Sequence, residues 1–207
     1  NLRLNGAVFQ IDIKDLQTAS VSLTSGGAVN FENAGKAQIR GVEFDALWVA
    51  MPDLNPGFVV TAGVSVLDAK YTDYPDGNGF DEQTGVNFES RDFTGNRIAR
   101  TPEFTATLGL SQTIETGKGP IELGADYFYN DGFYFLAQNS DVSFEPAYAL
   151  LNARVSYLYA PWDLRLTVFG SNLTDERYNV QQFHTDFGRA DQLAPPVSYG
   201  LRINWNY

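Results

Sequence analysis

From Val197 to Tyr207 the chain alternates without a break. Val197, Tyr199, Leu201, Ile203, Trp205 and Tyr207 are apolar or aromatic, and Ser198, Gly200, Arg202, Asn204 and Asn206 between them are polar or small. Successive side chains of a β-strand point to opposite faces, so this period of two makes a strand with one apolar and one polar face. The same pattern recurs. Trp162, Leu164, Leu166 and Val168 alternate with Asp163, Arg165 and Thr167, and Ile121, Leu123, Ala125, Tyr127 and Tyr129 alternate with Glu122, Gly124, Asp126, Phe128 and Asn130. Weaker versions run from Phe104 to Leu110, Leu151 to Tyr159, Phe58 to Val66 and Val42 to Trp48. The segment from Leu2 to Val21 changes phase near Gly6, which points to a β-bulge there. The pattern predicts about eight strands and no helix, at 2–21, 29–50, 57–72, 101–114, 119–136, 145–159, 162–172 and 196–207.

Composition narrows where such strands can sit. The chain is 43% hydrophobic and 14% aromatic, far from the make-up of a disordered segment. Its longest apolar runs, such as Ala46 to Met51, fall well short of the roughly 18 residues that a membrane-spanning helix requires. Membrane insertion would therefore demand a β-barrel, the other structure that satisfies every backbone group in lipid. A net charge of −11 argues against a nucleic-acid partner, which calls for a basic surface. The absence of cysteine rules out disulfides and thiolate metal sites. The start, Asn1-Leu2-Arg3-Leu4, reads as that of a mature fragment or of a piece of a longer chain.

Alternation alone does not separate a barrel from a soluble sandwich, because both bury one face of each strand. Three features favour the barrel. Short links (Pro52 to Pro56, Thr116 to Gly119, Ala160 to Pro161) alternate with long polar ones (Thr72 to Arg100, Ala137 to Phe144, Asn172 to Pro195), as periplasmic turns alternate with extracellular loops. Trp48, Trp162 and Trp205 all fall near the short-turn ends of their strands, where an aromatic girdle would meet the membrane interface. Several segments also exceed the usual five or six residues of a globular strand. The competing readings are a complete small barrel of about eight strands and a soluble carbohydrate-binding β-sandwich.

Several segments resemble those of one known family. Asn33-Ala34-Gly35-Lys36-Ala37-Gln38-Ile39-Arg40-Gly41-Val42-Glu43-Phe44 is similar to a barrel strand of TonB-dependent outer-membrane receptors. Leu67 to Tyr71, Asn96 to Phe104 and Asn172-Leu173-Thr174-Asp175-Glu176-Arg177-Tyr178 resemble that family's strand-to-loop passages, and Tyr199 to Tyr207 its aromatic-terminated closing strand. The resemblance implies an up-and-down antiparallel transmembrane barrel of about 22 strands around a plug domain. Residues 1–207 would be roughly its C-terminal third, without the plug and earlier strands. It further implies a transport receptor for a ferric siderophore or a similar scarce nutrient. The implied partners are outer-membrane lipid, the barrel-assembly machinery acting on the terminal strand Val197 to Tyr207, and the TonB complex acting through the part not included here.

Candidate site residues are few. Loop aromatics Phe80, Phe88, Phe93, Phe183 and Phe187, with the only histidine, His184, are the expected contacts for a small-molecule ligand. Glu43 and Asp45 share a strand face but have no nucleophile beside them, so lumen electrostatics or plug contact is their expected role. Asp73, Asp76, Asn78, Asp81 and Glu82 have the oxygen chemistry of a Ca²⁺ site without the EF-hand spacing, which favours a solvated loop. With one histidine, no phosphate-binding glycine loop and no catalytic triad order, neither an enzyme nor a cofactor is expected.

Overall fold

The computed structural model describes residues 1–22, 28–33 and 35–206. Its strands are β1 (Leu2–Lys14), β2 (Gln17–Ser22), β3 (Ala28–Asn33), β4 (Lys36–Met51), β5 (Asn55–Asp73), β6 (Gly77–Phe80), β7 (Asn87–Arg91), β8 (Phe104–Ile114), β9 (Ile121–Tyr134), β10 (Phe144–Tyr159), β11 (Leu164–Ser171), β12 (Asn179–Thr185), β13 (Gly188–Leu193) and β14 (Ser198–Trp205). Eight of them form one sheet in the order β1-β4-β5-β8-β9-β10-β11-β14, every neighbour antiparallel. The other six form three hairpins, β2–β3, β6–β7 and β12–β13. The first lies between β1 and β4, the second between β5 and β8 and the third between β11 and β14, while the link from β9 to β10 carries a 3-10 turn, Asp141–Ser143.

The expected eight strands are the eight of this sheet. Its edge strands, β1 and β14, are not paired with each other among the described residues, so the sheet is open and not a closed eight-stranded barrel; the other sheets there are two-stranded hairpins and not the second layer of a sandwich. The long segments expected at 2–21 and 29–50 each divide in two. Asp15 takes a left-handed backbone (φ 56), as does Gly35 (φ 73), where a Cβ would fall 2.2 Å from the carbonyl oxygen of Asp73. The expected link at Ser22 to Ala28 falls largely outside the described residues, as does Tyr207.

Register shows how alternation becomes a wall. Leu2, Trp48, Val60, Leu110, Ala125, Ala153, Gly170 and Tyr199 are linked pairwise across all eight strands, so one face is apolar throughout this row. On the other face Arg3, Leu47, Thr61, Gly109, Asp126 and Asn152 run in register. There Arg154 pairs with Asp126 at 3.0 Å and Arg165 with Glu122 at 2.7 Å. The apolar face is bare: Val168 is 60% exposed, Leu201 64% and Ile203 61%. An exposed apolar surface of this extent needs an apolar solvent to cover it, and lipid supplies one.

The phase change near Gly6 is not a bulge. The β1–β4 register runs unbroken from Leu2 opposite Trp48 to Lys14 opposite Lys36. What changes is the solvent. Outward positions are Leu2, Leu4 and Val8 at first and then Gln10, Asp12 and Lys14, opposite Arg40, Gln38 and Lys36. Inward positions become apolar at the same height, with Ile11 opposite Ile39 and Ile13 opposite Ala37. The strands thus leave the lipid and continue as an ordinary soluble sheet with its core inside. That core is Ala37, Tyr71, Tyr74 and Phe93, with Ile13, Leu16, Phe88, Ile98 and Ala137 packed against it. Tyr74 meets Tyr71 and Phe93 edge to face, with centroids 5.2 Å apart in both pairs.

Two outcomes follow. Val168→Arg puts a charge on the lipid face at mid-sheet and should cost about 2–4 kcal/mol of folding stability in lipid vesicles. Thr107→Arg on the lumen face should cost much less; equal costs in a denaturant titration would contradict the assignment of faces. Phe93→Ala removes a ring that is 3% exposed and should destabilise the loop core by about 3–5 kcal/mol. Amide exchange over 74–98 should then accelerate, leaving β8–β11 protected.

Candidate functional site

The link from β5 to β8 does not wander. After the β6–β7 hairpin it folds back along β5: Phe93 N donates to Tyr74 O (2.9 Å), Gly95 N to Tyr71 O (2.8 Å) and Ile98 N to Ala69 O (3.0 Å). Gly77 permits this fold, since a Cβ there would lie 2.3 Å from the Phe93 ring. The next loop locks onto it through one side chain. Asn139 accepts from Arg97 N at 2.7 Å and donates to Arg97 O at 3.0 Å, as a neighbouring strand would. Arg97 itself sits 3.4 Å from Glu103 and over the Tyr134 ring.

The β12–β13 hairpin is held from below. Asn172, at φ 49, donates to Glu176 O and Pro195 O and accepts from Glu176 N. Tyr178 stacks on Tyr148 at 4.1 Å, and the buried Glu145 carboxylate accepts from Asn179 N and Nδ2 at 3.0 and 2.9 Å. So placed, the hairpin reaches the β6–β7 loop. Asn87 Nδ2 donates to Asp186 Oδ2 (3.4 Å), and Gly85 lies so close to Asp186 O that a Cβ would approach it to 2.4 Å. His184 and Glu82 are both buried, with Nδ1 3.0 Å from Oε1, and His184 Nε2 lies 2.8 Å from Gln182 Oε1. Three loops thereby form one cluster.

Inside the cluster is a cavity of about 440 Å³. Tyr74, Phe80, Phe93, Phe135 and Phe183 give it aromatic walls; Asn78, Gln138, Gln181, Gln182 and His184 supply polar groups, and Arg100 the positive charge. Arg100, at φ 59, holds its guanidinium 5.2 Å from the Phe135 ring centroid. A concave, aromatic-lined space with a few polar groups is the usual form of a small-molecule site. The guanidinium over a ring is suited to anionic, planar ligand groups.

Four of the six expected contact residues, Phe80, Phe93, Phe183 and His184, line this cavity. Phe88 does not: it packs behind Phe93 (6.2 Å) beneath the Arg91 guanidinium (3.9 Å). Phe187 is 74% exposed at the hairpin tip. Phe135 and Arg100 also line the cavity but were not among the expected contacts, because one lies at the end of an alternating strand and the other two residues before Pro102, where both look structural. The acidic residues are mostly engaged. Asp73 pairs with Lys36 (2.8 Å), and Asp76 accepts from Ser90 Oγ (3.0 Å). Asp81 accepts from Thr84 N, Thr84 Oγ1 and Gln83 N, and the Thr84 backbone bond leads in holding its carboxyl below the usual carboxylate range. Among the described residues no three His, Asp or Glu side chains converge on a metal position. Asp45 accepts from Asn5 at 2.7 Å, and Glu43 lies on the same lumen face opposite Ala7 and Ser65.

At the opposite end of the sheet, Trp48 lies between Leu2 and Val60, and Trp205 closes β14 opposite Leu164. Trp162 is in a 3-10 turn (Ala160–Trp162), not in β11 as its alternation implied, and meets Tyr159 edge to face at 5.2 Å. Trp162, Leu164, Ile203 and Trp205 surround one apolar recess on the outer face.

Comparison with known proteins agrees with this architecture. A family model described as "TonB dependent receptor-like, beta-barrel" matches residues 1–173. The pesticin receptor of Yersinia enterocolitica serotype O:8 is 23% identical over all of this chain, and that of Yersinia pestis 24%. This chain spans 27% of the length of each. Among solved structures, the ferric yersiniabactin uptake receptor FyuA from Yersinia pestis superimposes with a TM-score of 0.74 at 22% identity, covering 97% of this chain and 27% of that one. The siderophore receptor PiuA from Acinetobacter baumannii gives 0.73 at 20% identity, covering 100% and 26%. A family match over most of the chain, on an open sheet with a bare apolar outer face, settles its membership: the chain belongs to the TonB-dependent receptors, and its sheet is part of their outer-membrane β-barrel wall.

Proposed function

We infer that this chain is the C-terminal part of the barrel of an active-transport receptor, and that its loop cavity contacts a ferric siderophore or a similar scarce, metal-bearing nutrient. The observation that carries this reading is the convergence of three loops on an aromatic cavity containing Arg100. Aromatic rings and carboxamides suit the organic shell of a chelate, and the guanidinium suits its negative charge. Two solved proteins of similar fold are described as a siderophore receptor and a ferric yersiniabactin uptake receptor, in keeping with this ligand class.

The remaining parts take roles that follow from their placement. The outward row meets lipid, and Trp48, Trp162 and Trp205 sit at its periplasmic boundary as an interfacial girdle. The β14 edge, with Tyr199, Leu201, Ile203 and Trp205 and with Val197 and Tyr207 flanking it in the sequence, offers the barrel-assembly machinery a strand for β-augmentation. Transport itself depends on a plug and on coupling to the TonB complex outside this segment.

The test uses the full-length receptor in iron-starved cells lacking other ferric-siderophore receptors. Uptake of a panel of ⁵⁵Fe-loaded catecholate, hydroxamate and carboxylate chelates should be seen for at least one of them and should vanish without TonB. Arg100→Glu should weaken binding of that chelate roughly tenfold or more, since juxtaposed like charges cost several kcal/mol. TonB-independent uptake, or full binding by the Arg100→Glu protein, would sink the proposal.

A further inference from the structure

The walls of the aromatic cavity come from parts of the chain that are far apart in sequence. Strand β6 supplies Asn78 and Phe80, and β12 supplies Gln181, Gln182, Phe183 and His184. The shape of the space therefore depends on what holds the β12–β13 hairpin to the β6–β7 loop. Asn87 and Asp186 meet there at 3.4 Å, the long end of a hydrogen bond. Glu82 and His184 form a charge pair at 3.0 Å, with side chains only 5% and 2% exposed.

Both ring nitrogens of His184 face oxygen. Nδ1 lies 3.0 Å from Glu82 Oε1, and Nε2 lies 2.8 Å from Oε1 of the buried Gln182. A carboxylate and an amide oxygen only accept. A neutral imidazole carries one N–H and can serve one of them, whereas an imidazolium carries two and serves both. Neither Glu82 oxygen accepts a hydrogen bond of regular geometry among the described residues, so what ties it to the ring is charge. A buried carboxylate without a counter-charge is strongly unfavourable. The other charged groups around the pair have their own contacts. Arg189, opposite His184 in the hairpin, reaches Asp191 (2.8 Å) and Val142 O (2.6 Å), and Asp186 accepts from Asn87. Asp81 accepts from Gln83 and Thr84, Arg91 lies over the Phe88 ring and Arg100 over that of Phe135, while Asp141 lines the space beside Glu82.

We propose that Glu82 and His184 are positioning residues for the aromatic cavity. The protonated ring draws the hairpin onto the β6–β7 loop, and loss of its proton slackens that wall and lowers affinity for the ligand. The attraction is present while the ring is charged and is lost as pH rises and the proton leaves. Imidazoles ordinarily make this change between about pH 5 and 8, where carboxylates ordinarily stay ionised. The effect on affinity rests on the reading of this cavity as the ligand site; the movement of the hairpin does not.

The two parts are tested separately. Nitroxide labels are attached at Gln83→Cys and Phe187→Cys, both exposed positions, in full-length receptor in lipid nanodiscs. The distance between them is measured by pulsed electron resonance at about pH 6 and about pH 8.5, across the ordinary imidazole range. The labelled protein should give a short, narrow distribution at the lower pH and a longer, broader one at the higher. Adding Glu82→Gln, nearly isosteric, should make the two distributions alike. Binding of the ⁵⁵Fe-loaded catecholate, hydroxamate and carboxylate chelates is then measured at the same two pH values. For any that binds, affinity should fall about fivefold or more from the lower pH to the higher, the low end of ordinary coupling between sites, and Glu82→Gln should remove that dependence. A distance unchanged by pH, or changed equally in the Glu82→Gln protein, would overturn the proposal, as would an affinity with the same pH profile in both proteins. If Glu82→Gln protein fails to reach the membrane, the distances without it decide the matter. If no chelate binds, the receptor reading fails while the distances still report on the pair.

Discussion

The structure depends on one constraint: a backbone that enters lipid must satisfy all of its own N–H and C=O groups. Among the described residues no helix is present that could do so within itself. The answer is a ladder in which every strand bonds to both neighbours, from β4 inward to β11, and side chains are left free to serve two solvents. Alternation follows from this. One face is Leu, Val, Ala and aromatic because lipid rewards nothing else, and the other holds ion pairs such as Arg165–Glu122 because it meets water.

The same ladder continues beyond the membrane with its polarity reversed. Between Val8 and Gln10 on β1 the outward side chains turn polar, and by Ile11 and Ile13 the inward ones are apolar, with no change of register. A lipid-facing wall thus becomes a soluble sheet with a core made of Ala37, Tyr71, Tyr74 and Phe93. The loop cluster is built on that core. Because Phe93 belongs both to the core and to the cavity wall, the cavity is a lined chamber on a packed base. Glu82 and His184 are buried side by side, 3.0 Å apart, where the two hairpins meet.

Much of this was legible from residues alone. Alternation located all eight strands of the sheet, and the run of short and long links marked most of the places where the chain turns. Where reading failed, the cause was local and physical. Gly6 looked like a bulge because a change of solvent and a change of register leave the same trace in a pattern of polarity. Trp162 kept the phase of β11 although Pro161 and Asp163 (φ 47) turn the chain before the strand begins. The hairpins β6–β7 and β12–β13 escaped notice because stretches such as Gly77-Asn78-Gly79-Phe80 carry no alternation, their faces being set by neighbours from other loops. Phe88 and Phe93 are alike in sequence, and only packing puts Phe93 in the cavity wall and Phe88 behind it.

The sequence by itself determined the strands, their two faces and the family, because each is encoded at a spacing of one or two residues or in a contiguous segment. The tertiary structure decided which side chains share a space. Arg100 meets Phe135, Asn139 pairs with Arg97, and Glu82 meets His184 across 102 positions of chain. Such contacts depend on how loops of unlike length fold back over a common core, and no local period records that.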